Sequence, residues 1–422
     1  MASAVCEPNR AKIGIFDLTI GLVIGLLASM LCIWCSHQFP NEIFDLEALD
    51  IWFDGDPSFL FQNFTNRRSP YLRRTSVHPL YPLVTTVPAS ILQRLGVTDD
   101  LTKIRIVLAL AAAVWGCSLY ALLRVLGNQR LDAALFALLG LTSASVIFWS
   151  GLPEYHFIGS ISLIFALLLI GAGNRGRFSG ARYTVASALS LSMTVTNWML
   201  GLGAAVVGQG PRRAIQISVY ALCVVVILWS LQKQICPTSV FFLQPQREEG
   251  QYTNRPTPAR IMAVSQAFFL HGMTLPAIGS TPNNWKPSEF AHRLTVQIPP
   301  GGYRNIPQWL ASAIWISLCM LGVTGLQSAN ADKTLKITVV MTILGGYALH
   351  TVYGWEVFLY SANYLPLMLG VASLGCQTRY RGLVLGLATV LIIMNGMLNF
   401  EQFHRAILLF QTQYADFLAS RS

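Results

Sequence analysis

Residues Ile13 to Cys35 read IGIFDLTIGLVIGLLASMLCIWC. A run of this length and apolarity suits a helix that crosses a bilayer, which takes about 17–25 residues. It exceeds the apolar core of a secretory signal, about 7–15 residues, and lacks a small-residue cleavage site, so it is read as a permanent first span. Arg10 and Lys12 precede it. Basic residues favour the cytoplasmic side, which places the N-terminus inside. Cys32 and Cys35 form a Cys-x-x-Cys within the run, where they serve as small lipid- or core-facing residues. The eight Cys of the chain are scattered, and no disulfide or metal framework follows from them.

Comparable runs continue along the chain: Ile104–Leu126, Leu131–Trp149, Phe157–Ala172, Tyr183–Thr196, Met199–Gly208, Ala214–Leu231, Ile306–Leu326, Lys336–Val352, Tyr360–Leu374 and Leu383–Leu398. With the first, the count is about eleven by the window criterion. The composition agrees. Of 422 residues, 53% are hydrophobic and 11% charged, against roughly 25% charged in soluble domains. A water-soluble fold is excluded on that ground, and the alternating ten-residue pattern of a membrane β-barrel is absent. The net charge of +10 does not imply nucleic acid, because the Lys and Arg residues lie in short loops between apolar runs. The expected architecture is an all-α integral membrane protein. Residues 1–232 form one membrane module with an acidic external loop at 36–102. Residues 233–305 form a second external loop, and residues 306–422 supply the last membrane helices and an external amphipathic tail from Phe400. The segment from Pro79 to Leu95 carries three prolines, which disfavour a spanning helix. It is expected to lie at the interface.

Chemistry concentrates in the first external loop. It holds Asp54-Gly55-Asp56-Pro57, then Arg67, Arg68, Arg73 and Arg74, then His78-Pro79. Carboxylates at a membrane surface can act as a general base or bind a divalent cation, Mg or Mn, with Asp54 and Asp56 as its ligands. Arginines hold phosphate oxygens through bidentate hydrogen bonds, and His78 can bind phosphate or shuttle a proton. Charge balance in a solvated loop is the plain alternative. Further along, Glu154 stands between Pro153 and Tyr155-His156, and Glu356 between Trp355 and Tyr360. Carboxylates at a membrane boundary are costly without a partner, whereas Trp355 and Tyr360 also suit an interfacial aromatic belt. Lys286, His292, Arg293 and Arg304 of the second loop can hold an acceptor or a pyrophosphate. Asn63-Phe64-Thr65 has the form of an N-glycosylation triplet.

The order of first helix, acidic external loop, His-Pro, amphipathic segment and a helix ending Leu122-Leu123-Arg124-Val125-Leu126-Gly127 resembles the GT-C superfamily of membrane glycosyltransferases. It looks closest to the branch of protein O-mannosyltransferases and the lipid A aminoarabinose transferase. The resemblance covers roughly the first half of the chain. It implies Asp54 and Asp56 as the acidic motif, Glu154 as the second acidic position, and Asn197-Trp198 as the external turn that carries Lys-Trp in relatives. The departures are Asp-Gly-Asp in place of Asp-Glu, Leu80 after His78-Pro79, and Asn at 197.

The expected function is sugar transfer from a polyprenyl-phosphate carrier to a lipid, glycan or protein acceptor at the external face of a bacterial plasma membrane, with inversion. Asp54, Asp56 and Glu154 are the catalytic candidates. Arg73, Arg74, His78, Asn197, Trp198, Lys286, Arg293, Glu356 and Tyr360 are the substrate- and phosphate-binding candidates. A transporter or flippase of a lipid-linked or polar substrate is the alternative, and would carry internal repeats and broken helices.

Overall fold

A computed structural model describes residues 14–48, 50–172, 179–244, 247–282, 292–297, 305–328 and 331–419. The chain is a helical membrane protein. Seven helices are long and apolar enough to cross a bilayer: α1 (Ile15–Gln38), α5 (Asp100–Val125), α11 (Pro211–Ile235), α13 (Ile306–Ser328), α14 (Lys333–Val352), α15 (Val357–Ser373) with the turn that follows it, and α16 (Arg381–Ala419). The other expected spans are shorter helices: α6 (Arg130–Leu141) and α7 (Ala144–Trp149), α8 (Tyr155–Gly171), α9 (Ser179–Met193) and α10 (Trp198–Gln209). The twelve residues of α10 reach about 18 Å, well short of a hydrocarbon core of about 30 Å.

Small residues let the helices approach. On α1, a Cβ at Gly25 would lie 2.4 Å from Cys117 Sγ and 2.8 Å from the Ala113 carbonyl, both on α5. Only a residue without a side chain fits there. Gly322 of α13 meets the Val371 carbonyl of α15 in the same way, at 2.2 Å. Helix α15 is nearly buried throughout and packs against α8, α13 and α14. It is the central post of the bundle.

The run expected to form one span from Leu131 to Trp149 is broken at Thr142-Ser143. Ser143 caps α7 through the Val146 N–H, 3.4 Å away. The amides of Ala144 and Ser145 donate to the carbonyls of Met273 and Gly272, at 3.2 and 2.9 Å. Asn399 of α16 donates to the Thr142 carbonyl at 2.8 Å. Irregular backbone at this depth persists because neighbouring protein satisfies it. Part of the second long loop is therefore packed into the helical bundle. After α12 (Pro258–Gln266), a π-turn at Ala267–His271 carries the chain down to Thr274, whose hydroxyl donates to Asn395 Oδ1 at 2.7 Å.

The first loop folds over the bundle as α2 (Pro57–Thr65), a 3₁₀ segment at Pro70–Ser76, α3 (Tyr81–Val84) and α4 (Thr86–Arg94). The last two occupy the expected interfacial stretch, with Val84, Ile91 and Leu95 exposed. The fold is all-α in its membrane part, and the second loop adds a small antiparallel ribbon. In it β1 (Gly279–Pro282) pairs with β2 (His292–Thr295), Gly279 opposite Thr295. The expected separate tail from Phe400 is also corrected, because it is continuous with the last span in α16. Its outer half keeps an apolar face, with Phe403, Phe410 and Phe417 buried, and Tyr414 donates to Asp45 at 2.9 Å. At the opposite end, buried Asp17 of α1 accepts from Arg124 at 2.7 Å and Tyr120 at 3.0 Å, and Asp132 accepts from Arg381 at 2.7 Å.

Candidate functional site

The site begins with two aromatic anchors. Trp52 and Phe53 are fully buried and pack edge-on and stacked against Phe39, Phe148, Phe358 and Phe403. With their rings fixed, the chain must turn sharply. Phe53 and Asp54 adopt left-handed backbone, with φ of 49° and 61°, a conformation that costs non-glycine residues roughly 1–2 kcal/mol each and gathers at functional sites. The glycine in the middle is required by close packing. A Cβ at Gly55 would meet the Trp52 carbonyl at 3.1 Å and the Trp149 ring at 3.3 Å. Pro57 starts α2 at its first turn, where no N–H is needed. Asp56 precedes it without capping the helix with its side chain.

Asp54 accepts from Arg293 of β2 at 3.0 Å. Burial pushes its carboxyl up to about 6, opposed first by Arg293 and assisted by the like charge of Asp56. Glu154 lies between α7 and α8 and accepts from the amides of Tyr155 at 2.8 Å and His156 at 3.3 Å. It thus caps the N-terminus of α8. Burial, then the charge of Asp56, lifts it to about 8. Glu356 accepts from Thr295 at 2.5 Å, its other oxygen is buried without a hydrogen bond, and burial lifts it too to about 8. Burial thus favours the protonated form of two of these carboxyls. Arg74, on the 3₁₀ segment, exerts its charge on Asp54, Glu154 and His78 alike, so it stands among them.

One wall is aromatic. His78 stacks on Tyr155 at 3.8 Å, and His156 meets Tyr360 edge-on at 4.7 Å. His350 stacks on the other face of the wall against Tyr360, at 4.3 Å. His78 Nδ1 lies 2.9 Å from the Met193 carbonyl, which can only accept, so this nitrogen carries the hydrogen and Nε2 offers a lone pair. Burial, with help from Arg74, drives His78 down to about 3. Burial thus favours its neutral form. Behind it, Asn363 links His156 Nδ1 at 2.9 Å to Asn197 at 3.3 Å.

The first and second loops and the starts of α8 and α15 thus bring Asp54, Asp56, Arg74, His78, Glu154, Arg293, Glu356 and Tyr360 to one region, with Asn197 behind. Two candidates stand apart. Trp198 donates to Ser187 at 2.8 Å and ties α10 to α9. Arg73 points outward on the exposed face of its segment. Lys286 and Arg304 lie outside the described residues. Sequence reasoning missed Thr295 and Asn363. Asn363 had a signal, since an amide within an apolar span needs a partner there, whereas nothing in the sequence marks Thr295. The triplet Asn63-Phe64-Thr65 is no acceptor in the folded chain, because Asn63 is 2% exposed and bonded to the Tyr71 carbonyl.

The fit to a divalent cation is poor. Among the described residues no group of three or more His, Cys, Asp or Glu side chains is arranged to hold a metal. Asp54 is engaged by Arg293, and two guanidinium groups oppose a further positive charge. The same features suit an anion between Arg74 and Arg293 with a carboxylate close by. No protein-family model matches the chain, and no curated protein or solved structure is significantly similar to it.

Proposed function

We propose that the chain is a polyprenyl-phosphate-dependent glycosyltransferase with about eleven membrane crossings, acting at the face that carries Asp54. The observation that carries this reading is the meeting of two arginines with four carboxyls, drawn from four separate segments, at one end of an apolar helical bundle. A phosphate leaving group needs positive charge, an acceptor hydroxyl needs a base, and a lipid carrier needs a site level with the bilayer. In the reaction, Asp54 takes the proton from the acceptor hydroxyl. The acceptor oxygen bonds to the anomeric carbon as the bond from that carbon to the phosphate oxygen breaks. The electron pair leaves on polyprenyl phosphate, where Arg74 and Arg293 hold the charge. Direct displacement inverts the anomeric centre. Neutral Glu154 and Glu356 donate hydrogen bonds without repelling the phosphate. The sequence resemblance to the GT-C superfamily adds to this reading.

The break between α6 and α7 and the inserted turn at Ala267–His271 favour a second reading, a transporter for a lipid-linked substrate, since such proteins use interrupted helices. The discriminating measurement is sugar transfer from polyprenyl-phosphate donors by purified protein. Asp54→Asn keeps size and loses basicity, and is expected to lower transfer about 10²–10⁴-fold, with expression and membrane insertion unchanged. Asp56→Asn tests the neighbour, which takes the role of base if Asp54→Asn stays active. Full transfer in both single variants and in the double variant would remove the case for chemistry at this loop.

A further inference from the structure

Helix α2 separates two polar regions by its own length, nine residues or about 13 Å. Its first residue adjoins the carboxylate cluster. Its last turn opens on a different cleft of about 360 Å³, lined by Thr65, Asn66, Arg67, Arg68, Ser90 and Gln93, and closed by Gln234 to Pro237. The lining has an uncommon construction. Thr65 ends α2, Gln93 lies in the last turn of α4, and Gln234 in the last turn of α11. The end of α4 is closed by its own turn, where Leu95 and Gly96 donate to the Ile91 and Gln93 carbonyls, so α2 and α11 are the two helices that end on this space with the partial negative charge of their carbonyl ends. Two arginines face the same space. Among the described residues neither guanidinium pairs with a carboxylate, and the Arg68 amide donates to Asn66 Oδ1 at 2.8 Å. The cleft therefore presents both signs of charge side by side.

Its surroundings are apolar. Ile91 and Leu95 of α4 and its end are 52% and 75% exposed, and Ile227 and Leu231 of α11 are 61% and 57% exposed. These side chains face lipid, so the cleft opens where acyl chains give way to headgroups.

We propose that this cleft binds the headgroup of an aminophospholipid. The phosphodiester sits on Arg67 and Arg68, and the ammonium sits on the helix carbonyl ends and the Gln93 and Gln234 side-chain oxygens. The acyl chains lie along α4 and α11. An anionic headgroup would satisfy the arginines and place no positive charge against the carbonyl ends of α2 and α11, so charge complementarity selects the zwitterion. This site does not depend on the glycosyltransferase reading.

The test uses the purified full chain in detergent, stripped of lipid and then given phosphatidylethanolamine, phosphatidylglycerol or inorganic phosphate, with retained ligand counted by native mass spectrometry. Phosphatidylethanolamine is expected to be retained in preference to phosphatidylglycerol, with inorganic phosphate neither retained nor competing. Arg67→Gln is expected to weaken retention about tenfold, and Arg68→Gln with it about tenfold more, as charge-assisted bonds are lost. Ser90→Trp fills the cleft without changing charge and is expected to abolish retention. Thermal unfolding confirms that the variants are folded. Retention unchanged in both the arginine double variant and Ser90→Trp overturns the site. Equal retention of phosphatidylglycerol overturns the ammonium assignment, and displacement by inorganic phosphate alone overturns the lipid in favour of a free-anion site.

Discussion

Each carboxyl in the cluster has a proton affinity set by what surrounds it, and two of them bracket neutrality. Asp54 sits near 6 and Glu154 near 8, both raised chiefly by burial. Asp54 must be ionised to accept a proton, so transfer is expected to rise with pH through about 6. Glu154 must stay protonated to avoid repelling the phosphate, so transfer is expected to fall through about 8. The bell shape follows from one group acting charged and the other neutral. Glu154→Gln fixes the neutral form. It is expected to flatten the upper limb of the kcat/KM profile and keep most activity at pH 7. An upper limb that persists in this variant, and vanishes in Glu356→Gln, would move the role to Glu356, which titrates in the same range. At this scale the sequence was informative where charge is scarce. Asp54, Asp56 and Glu154 stood out because so few residues here are charged and they border apolar runs. It was silent on pairing. Arg293 lies 239 residues from Asp54 and Thr295 61 from Glu356, and such meetings depend on how the second loop settles.

Among the elements, the long apolar helices were legible because period and length alone announce them. The broken span was not. Thr142 and Ser143 are ordinary in a membrane helix, and the break depends on amides and carbonyls supplied by Gly272, Met273 and Asn399. Backbone partners leave no mark in a side-chain pattern. The same holds for the continuity of α16, where the change from lipid-facing to amphipathic character at Phe400 reads as a boundary although the helix runs on. The contact between α1 and α5 offers a direct test. Gly25→Leu places a side chain where 2.4 Å separates an added Cβ from Cys117 Sγ, so the helices must part. Overpacking of this kind costs about 1–3 kcal/mol. A fall in the thermal midpoint of the detergent-solubilised protein is expected, and Cys117→Gly should recover part of it. An unchanged midpoint in Gly25→Leu would mean that α1 packs elsewhere.

The whole molecule is polarised. Arg124, Arg130 and Arg381 gather with Asp17 and Asp132 at one end of the bundle, and the carboxylate cluster occupies the other. Basic short loops favour the cytoplasmic side. Reporter fusions in the α5–α6 turn at Gly127 and at Gln327 are therefore expected to read cytoplasmic, and a fusion at Gly250 external. A cytoplasmic signal at Gly250 would put the cluster on the side opposite to the one proposed.

Helix α16 joins these two ends. Its 39 residues measure about 58 Å, nearly twice the thickness of a hydrocarbon core. A stiff rod of that length is a lever. Pivoted at its inner end, it carries its tip sideways by about 1 Å for each degree of tilt. The tip holds Asp45 through Tyr414 and Ser280 through Gln413, one on each long loop. Packing against neighbours sets the tilt of a spanning helix, with bilayer thickness a smaller contribution, so any change in the tilt of α16 would reach both loops at once.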